Sequence, residues 1–315
     1  MSTGASATVD RDVVRVRAPG KINLRLRVGP PREDGYHPLA TVFQAVNLFE
    51  EVRAEAADDI AVTVTGRHAD RVPTGEHNLA HRAALLLART TGLESGVHLH
   101  ITKEIPVAGG MGGGSADAAA ALLACDLLWD TGLDREELVE LAATLGADVP
   151  FALTGQTALG LGRGDVLTPA LVRGRYYWVL ALSDTGLSTP DVFAALDSSG
   201  AIPPNRRVSV PPSMMKALRS GDPRRLTRHL VNDLSDAAVS LRPQVGRVLA
   251  AFEQTAALTA IVSGSGPTVA GLAAGHREAV GIAEQIRAAA VADEVVVVQG
   301  PAPGARVVEQ VRIDA

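Results

Sequence analysis

Residues 106–119 read Pro-Val-Ala-Gly-Gly-Met-Gly-Gly-Gly-Ser-Ala-Asp-Ala-Ala, and five of the six positions from Gly109 to Gly114 are glycine. An alternating strand pattern precedes this stretch, and an alanine-rich run that predicts a helix follows it as far as Trp129. Glycine loses more conformational entropy on folding than any other residue, so a close approach of the backbone must compensate for the loop. A phosphate group bound by loop N–H groups at a helix N-terminus is the favoured interpretation. A flexible hinge or a tight packing turn is the alternative.

Two widespread nucleotide-binding loops do not match this segment. A Walker loop needs Gly-Lys-Ser/Thr, but Gly114 is followed directly by Ser115, and the dinucleotide fingerprint G-x-G-x-x-G has no match between Gly109 and Gly114. Asp117 falls in the first turn of the predicted helix, where its charge would repel a triphosphate unless a cation lay between them. We therefore expect Mg²⁺ near the side-chain oxygens of Ser115 and Asp117. Alternatively, Asp117 only complements the helix dipole.

The composition is that of a globular protein, with 315 residues, 46% of them hydrophobic, 21% charged, and a formal net charge of −5. The acidic balance offers no basic field for nucleic acid, and no apolar run approaches the ~20 residues that span a bilayer. Residues 1–12 lack an apolar signal core and are predicted to be a disordered tail. Cys125 is the only cysteine, which excludes an internal disulfide and fits a reducing cytoplasm.

The length of the chain and its hydrophobic periodicity predict about two domains. In the first half, strands are predicted at 13–17, 22–28, 42–52, 60–64 and 97–101. Helices are predicted at 79–89 after Asn78, at 116–129, and at 136–145 after a capping box of Asp134 and Glu137. An apolar strand at 176–182 opens the second half, so the predicted domains are 1–174 and 175–315. Beyond it we predict helices near 191–197, 213–219, 223–231, 243–256 and 276–290, and strands near 260–263, 268–272, 294–298 and 306–312.

Three motifs resemble those of the GHMP kinases and occur in the same order. They are Ala18-Pro-Gly-Lys21-Ile-Asn23-Leu24 with Asp34-Gly35-Tyr36-His37, the glycine loop from Pro106, and Ile261-Val-Ser-Gly-Ser-Gly-Pro-Thr268. The glycine loop resembles those of homoserine, mevalonate and galactose kinases alike. The first motif is narrower and resembles the members that phosphorylate 4-diphosphocytidyl-2-C-methyl-D-erythritol. Gly20, Met111 and Ala116 depart from the alanine, leucine and serine that are usual in the family.

The resemblance implies an α+β fold of two domains with the active site in the cleft between them. The N-terminal, ATP-binding domain would be like the second domain of ribosomal protein S5, and the C-terminal domain would be ferredoxin-like. ATP with Mg²⁺ is the implied phosphoryl donor, and a small molecule is the implied partner of a monomer or homodimer. One alternative is a GHMP kinase that acts on homoserine or a mevalonate derivative. Another is a non-catalytic ligand-binding protein of the same fold, which would be expected to lose Lys21 or Asp148.

By resemblance, Lys21 and Asp148 are the catalytic residues. Asp148 would take the proton of the acceptor hydroxyl, while Lys21 would steady the moving phosphoryl group and keep Asp148 ionised. The alternative for Asp148 is a helix N-cap before Val149-Pro150. Asn23 projects from the same strand face as Lys21 and is expected to hold the acceptor.

The remaining site residues are also implied by the resemblance. Tyr36 would stack on a cytosine ring, His37 would bond its edge and Phe193 would cover its other face. The alternatives are an ordinary surface histidine for His37 and a core position for Phe193. Gly264, Ser265 and Gly266 would close over the acceptor. ATP would contact Asn78, Leu79, Lys103, Pro106, Val107, Ala108, Gly109, Gly110, Met111, Gly112, Gly113, Gly114, Ser115 and Ala116.

Overall fold

The computed structural model describes residues 12–311, so the predicted tail at 1–12 lies outside the described residues except for its last position. The strands are β1 (Val13–Val28), β2 (Leu39–Ala57), β3 (Ile60–Gly66), β4 (Gly96–Lys103), β5 (Thr157–Gly162), β6 (Val166–Pro169), β7 (Tyr176–Leu182), β8 (Val231–Asn232), β9 (Thr259–Val262), β10 (Val269–Ala273), β11 (Glu294–Gly300) and β12 (Arg306–Val311). The α-helices are α1 (Leu79–Thr91), α2 (Gly113–Trp129), α3 (Arg135–Leu145), α4 (Val149–Thr154), α5 (Thr189–Ser199), α6 (Pro212–Ser220), α7 (Pro223–Leu226), α8 (Ser235–Leu241), α9 (Pro243–Glu253) and α10 (His276–Ala288). Along residues 12–311, no helix is both long and apolar enough to cross a membrane.

The first sheet is built around the long antiparallel pair of β1 and β2. Its strand order is β12-β1-β2-β4-β3, with β5 beside β2, β6 beside β5, and β8 parallel to β1. The sequence predicted two strands where the structure has the single strand β1. The strand continues through Pro19 because its register against β2 shifts between Pro19 and Gly20, and such a bulge accommodates a residue without an N–H group.

Helix α2 lies at the centre of the larger hydrophobic core. Its alanines at 116, 118–121 and 124 are all buried, and the helix contacts α1, β1 and β2. Small side chains let a helix approach its neighbours closely in a densely packed interior. This packing places the N-terminus of α2, where the glycine loop ends, against the middle of the sheet.

The second sheet has the antiparallel order β11-β7-β10-β9. Counted along this half of the chain, its strands lie in the order 4-1-3-2, with helices before the second and before the fourth strand. That is the β-α-β-β-α-β plan of a ferredoxin-like unit, and the predicted α+β class is confirmed. The boundary at 174/175 falls just before β7, while β8 and β12 from the second half pair with β1. The division into 1–174 and 175–315 stays a prediction.

The predicted helix starts agree with the structure where a side chain caps the helix. Asn78 accepts hydrogen bonds from two N–H groups of α1, and Asp134 with Glu137 forms the capping box of α3. Helix α8 and the hairpin of β5 and β6 were not predicted. The hairpin segment contains many glycines, which weaken a strand pattern, and α8 is too short to show helical periodicity.

Candidate active site

A cavity of about 1150 Å³ lies between β1, the glycine loop, the start of α4 and helix α5. Most of the predicted site residues border it, namely Lys21, Asn23, Tyr36, His37, Asn78, Leu79, Lys103, Pro106, Val107, Ala108, Gly109, Gly110, Gly112, Gly113, Gly114, Ser115, Asp117, Asp148, Phe193, Gly264 and Ser265. Met111 and Ala116 are instead buried in the hydrophobic core. Gly266 packs against Val262 and is not among the residues that border the cavity.

The glycine loop needs glycine both for its conformation and for close packing. Gly110 and Gly112 have φ values of 78° and 74°, in the left-handed region that favours glycine. A Cβ atom at Gly110 would collide with the carbonyl oxygen of Ser263 in the C-terminal glycine loop. Helix α2 begins at Gly113, and the N–H groups of a first turn have no carbonyl partner within their own helix. Together with the helix dipole, they form a site suited to a phosphate anion.

Lys21 is fixed in place by contacts to the glycine loop. Its backbone N–H donates to the carbonyl oxygen of Met111 (2.9 Å), and its Nζ donates to the carbonyl oxygen of Gly110 and to Asn23 Oδ1 (2.8 Å each). The same Nζ lies 3.6 Å from Asp148 Oδ2. Because Lys21 is only 7% exposed, its ammonium group is held between the loop and Asp148 rather than free in solvent.

Asp148 occupies the N-cap position of α4, as its alternative interpretation predicted, and Pro150 lies in the first turn of that helix. Its carboxylate, however, makes no capping hydrogen bond to the N–H groups of α4. The side chain is 31% exposed and faces Lys21. A carboxylate that is open on one side and faces an ammonium group on the other is suited to accept a proton from an alcohol.

Asn23 is buried, and both ends of its amide group are engaged within the protein. Its Nδ2 donates to Thr41 Oγ1 (2.8 Å), and its Oδ1 accepts from Lys21 Nζ. The structure therefore presents Asn23 first as a partner of Lys21. Its expected contact with the acceptor stays a prediction.

The three aromatic residues predicted to bind cytosine all border the cavity. Tyr36 is 53% exposed, and the guanidinium carbon of Arg163 lies 3.7 Å from the centre of its ring. The ring centres of His37 and Phe193 are 5.2 Å apart. His37 Nδ1 lies 2.7 Å from the carbonyl oxygen of Gly29, so this nitrogen carries the hydrogen and donates it. This part of the site therefore offers an exposed ring and an anchored histidine–phenylalanine pair.

A buried ion cluster of Lys103, Glu50 and Asp117 lies beside the glycine loop. Lys103 Nζ is 2.5 Å from Glu50 Oε1 and 2.6 Å from Asp117 Oδ2, and the N–H of Glu104 donates to Glu50 Oε2 (2.8 Å). Burial, and then the charge of Asp117, raise the pKa of Glu50 to about 8. Burial also raises the pKa of Asp117, while Lys103 opposes that rise. Burial therefore favours a proton on Glu50 near neutral pH, while Lys103 Nζ contacts the carboxyl groups of both Glu50 and Asp117.

The two predicted magnesium ligands lie in different surroundings. Ser115 borders the cavity, whereas Asp117 is 3% exposed and its carboxylate is paired with Lys103. A cation beside Asp117 would be repelled by that ammonium group, which argues against Asp117 as a ligand. The hydroxyl of Ser115 is a hard oxygen donor of the kind that Mg²⁺ binds. Within residues 12–311, no group of three or more His, Cys, Asp or Glu side chains could hold a metal ion.

The C-terminal glycine loop is held against the first one. The hydroxyl of Ser263 donates to the carbonyl oxygen of Gly110 (3.0 Å), which also accepts from Lys21. Asn232 Nδ2 donates to the carbonyl oxygen of Gly264 (2.7 Å). A Cβ atom at Gly264 would lie 3.0 Å from Lys21 Nζ, so this loop forms the wall beside the ammonium group.

Several residues of the site were not found from the sequence. Thr41 and Glu50 lie on β2 among ordinary strand residues. Arg163 lies in the turn before β6, where the run Gly-Arg-Gly-Asp was visible as a turn but gave no sign of a stacking role. Thr189, whose hydroxyl is 2.8 Å from that of Ser265, begins α5. None of the four belongs to a short motif, so only the fold brings them to the site.

Both halves of the chain match models of one protein family. The model described as GHMP kinases N terminal domain matches residues 78–156, and the model described as GHMP kinases C terminal matches residues 214–292. The first match contains the glycine loop and Asp148, and the second contains the C-terminal glycine loop. The chain belongs to the GHMP kinases, which makes it an ATP-dependent small-molecule kinase.

Comparison with individual relatives shows which members of that family the chain resembles. The chain is 53% identical to the 4-diphosphocytidyl-2-C-methyl-D-erythritol kinase of Leifsonia xyli subsp. xyli, over 94% of this chain and 99% of the relative. It is 50% identical to the protein of the same name from Thermobifida fusca, over 94% of this chain and 98% of the relative. A crystal structure of 4-(cytidine 5'-diphospho)-2C-methyl-D-erythritol kinase is 33% identical, with a TM-score of 0.73 over 90% of this chain and 98% of that one. The crystal structure of a homoserine kinase from Cytophaga hutchinsonii shares the fold. It is 20% identical, with a TM-score of 0.72 over 98% of this chain and 100% of that one.

Proposed function

We propose that the protein transfers the γ-phosphoryl group of ATP to the 2-hydroxyl group of 4-diphosphocytidyl-2-C-methyl-D-erythritol, a step of the non-mevalonate (methylerythritol phosphate) route to isoprenoids. The observation that carries the proposal is the pair of Lys21 and Asp148, 3.6 Å apart, in a cavity that is bordered by the glycine loop and by Tyr36, His37 and Phe193. Relatives that are 50% identical or more along nearly their whole length are named for this acceptor.

ATP is proposed to bind with its phosphates at the start of α2. The N–H groups of the first turn, from Gly113 to Ser115, and the ammonium group of Lys21 provide positive charge there. Asn78 and Leu79, which border the same cavity, are proposed to contact the adenine. The side chain of Lys103 is engaged with Glu50 and Asp117, so we propose that its contribution is to hold the loop.

The chemical step needs one proton acceptor and one stabilising charge. Asp148 takes the proton of the acceptor hydroxyl as its oxygen bonds to the γ-phosphorus, while the bond from that phosphorus to the bridging oxygen of ADP breaks. Lys21 stabilises the negative charge on the moving phosphoryl group, from a position already fixed by Gly110 and Asn23. Mg²⁺, with Ser115 as a ligand, would neutralise further charge on the phosphates.

The cytidine part of the acceptor is proposed to bind at the aromatic residues. Tyr36 offers an exposed ring for stacking, and the pair of His37 and Phe193 offers a second apolar surface and a polar edge. Homoserine and mevalonate carry no base that could use these side chains. A non-catalytic role is disfavoured because Lys21 and Asp148 are both present and face each other. We also propose a cytoplasmic setting and either a monomer or a homodimer.

Phosphorus NMR tests the proposal directly. With ATP, Mg²⁺ and the cytidyl acceptor, the γ-phosphate signal of ATP should decline as a phosphomonoester signal appears beside the unchanged diphosphate of the acceptor. Asp148→Asn is the matched control, because it keeps the shape of the side chain but cannot accept the proton. Loss of ATP without the new phosphomonoester signal would mean hydrolysis and would contradict the proposed transfer.

A further inference from the structure

Thr41 lies behind the catalytic lysine and is not part of any motif found in the sequence. It belongs to β2 and is fully buried. Its Oγ1 is 2.8 Å from the carbonyl oxygen of Arg25 and 2.8 Å from Asn23 Nδ2. The carbonyl group of Arg25, the hydroxyl of Thr41 and the amide of Asn23 thus form one chain of hydrogen bonds. It ends at Lys21 Nζ, which donates to Asn23 Oδ1.

The direction of this chain follows from the chemistry of its groups. A backbone carbonyl group only accepts, so Thr41 must donate its single hydroxyl hydrogen to Arg25. Its oxygen can then only accept, and the one group of Asn23 able to donate is the NH₂ group. The oxygen end of the Asn23 amide must therefore face Lys21. The opposite orientation of the amide would place two acceptors together at Thr41, so the hydrogen bonds themselves decide which end of the amide is oxygen.

The orientation of Asn23 matters because of what it presents to the ammonium group. With the oxygen facing Lys21, Asn23 and the carbonyl oxygen of Gly110 accept two of the three N–H groups. The third remains for the side of the cavity where Asp148 lies. With the amide reversed, an NH₂ group would face the ammonium group, donor against donor, and would displace it from this position.

We propose that Thr41 is a positioning residue that sets the orientation of the Asn23 amide and thereby fixes Lys21 for phosphoryl transfer. It acts through Asn23: Thr41 borders the cavity, but its side chain is fully buried and its hydroxyl is engaged by Arg25 and Asn23. The catalytic part of the proposal rests on the proposed kinase function. The structural part, that Thr41 controls the surroundings of Lys21, holds independently of which acceptor is used.

Three variants test the catalytic part. Thr41→Val keeps the shape but removes the hydroxyl, and should lower kcat about 10-fold with KM for both substrates changed less than about twofold. Thr41→Ser keeps the hydroxyl and should retain kcat within about twofold. Thr157→Val is the matched control, because it removes another buried hydroxyl, 3.2 Å from Gln44 Nε2, at a residue that is not among those bordering the cavity. It should lower stability but leave kcat unchanged.

A double-mutant cycle separates positioning from general support of the fold. If Thr41 acts through Asn23, adding Thr41→Val to Asn23→Ala should lower kcat no further than Asn23→Ala alone. Two losses that multiply in the double variant would overturn the proposal. So would a Thr157→Val variant that loses as much kcat as Thr41→Val.

The structural part has a readout that needs no turnover. The chain has only three lysines, Lys21, Lys103 and Lys216, so a protein labelled at lysine gives three side-chain signals by NMR. Thr41→Val should move the signal of Lys21 and leave those of Lys103 and Lys216 in place. In the wild type, a nuclear Overhauser contact should join the Asn23 NH₂ protons to the Thr41 side chain. An unmoved Lys21 signal, or NH₂ protons that contact Lys21 instead, would overturn the proposal even if the protein phosphorylated none of the acceptors tested.

Discussion

Replacing Glu50 by Gln should change how the stability of the protein depends on pH. Burial, followed by the charge of Asp117, raises the pKa of Glu50 from 4.5 to about 8. Between these values the native state holds a proton that the unfolded chain has released, so lowering the pH shifts the equilibrium toward the native state. This stability is fully present below pH 4.5 and is lost as the pH rises through about 8. Glutamine does not titrate, so the Glu50→Gln variant lacks this contribution.

The magnitude follows from the distance between the working pH and the raised pKa. A pH of about 6 is about two units below the folded pKa of Glu50, which corresponds to roughly 3 kcal/mol, and at about pH 9 the contribution is close to zero. Urea unfolding at the two pH values measures the change. The free energy of unfolding of the wild type should fall by roughly 3 kcal/mol more than that of Glu50→Gln between about pH 6 and about pH 9.

The control for this experiment is Thr157→Val, which removes a buried hydrogen bond but no titratable group. It should be less stable than the wild type at both pH values and keep the wild-type difference between them. Equal losses in the wild type and in Glu50→Gln would refute the reasoning, because the proton would then be bound elsewhere.

Asp148→Asn should lower kcat by at least about 100-fold, the scale of general-base catalysis, with little change in Tm; steady-state kinetics and a melting curve check both. Tyr36→Ala should raise KM for the cytidyl acceptor about 5- to 150-fold, the worth of one base stacked on an aromatic ring, and leave KM for ATP nearly unchanged. Gly112→Ala would place a Cβ atom on left-handed backbone at a cost of about 1–2 kcal/mol, visible as a lower urea midpoint. Cys125 is buried, and burial raises the pKa of its thiol, so a disulfide reagent should label it only after unfolding.

Parts of the fold could be predicted from the sequence because neighbouring residues alone decide them. Asn78 and the capping box of α3 mark helix starts, since their side chains bond N–H groups two or three residues along the chain. The glycine loop was identified because no local reason explains so many glycines. The continuity of β1 was not predictable, because the passage of a strand through Pro19 depends on its register against β2.

Some residues of the site could likewise be predicted from motifs, whereas others are brought together only by the fold. Lys21 and Asp148 were singled out from motifs, and the structure places them 3.6 Å apart, while their catalytic roles stay predictions. The ion cluster joins Glu50 on β2, Lys103 on β4 and Asp117 on α2, and no spacing rule connects three residues on different elements. Because that cluster was not foreseen, the sequence offered Asp117 as a magnesium ligand or as a complement to the helix dipole, and its pairing with Lys103 was not predicted.

The identity of the acceptor is the central point of the proposed function. The decisive measurement is kcat/KM, with ATP and Mg²⁺, for 4-diphosphocytidyl-2-C-methyl-D-erythritol, homoserine and mevalonate under the same conditions. The cytidyl compound should exceed both of the others by at least about 100-fold, the upper range of what one base-stacking contact provides. Phosphorylation of homoserine or mevalonate at an equal or greater kcat/KM would contradict the proposed function, although membership of the GHMP kinases would stand.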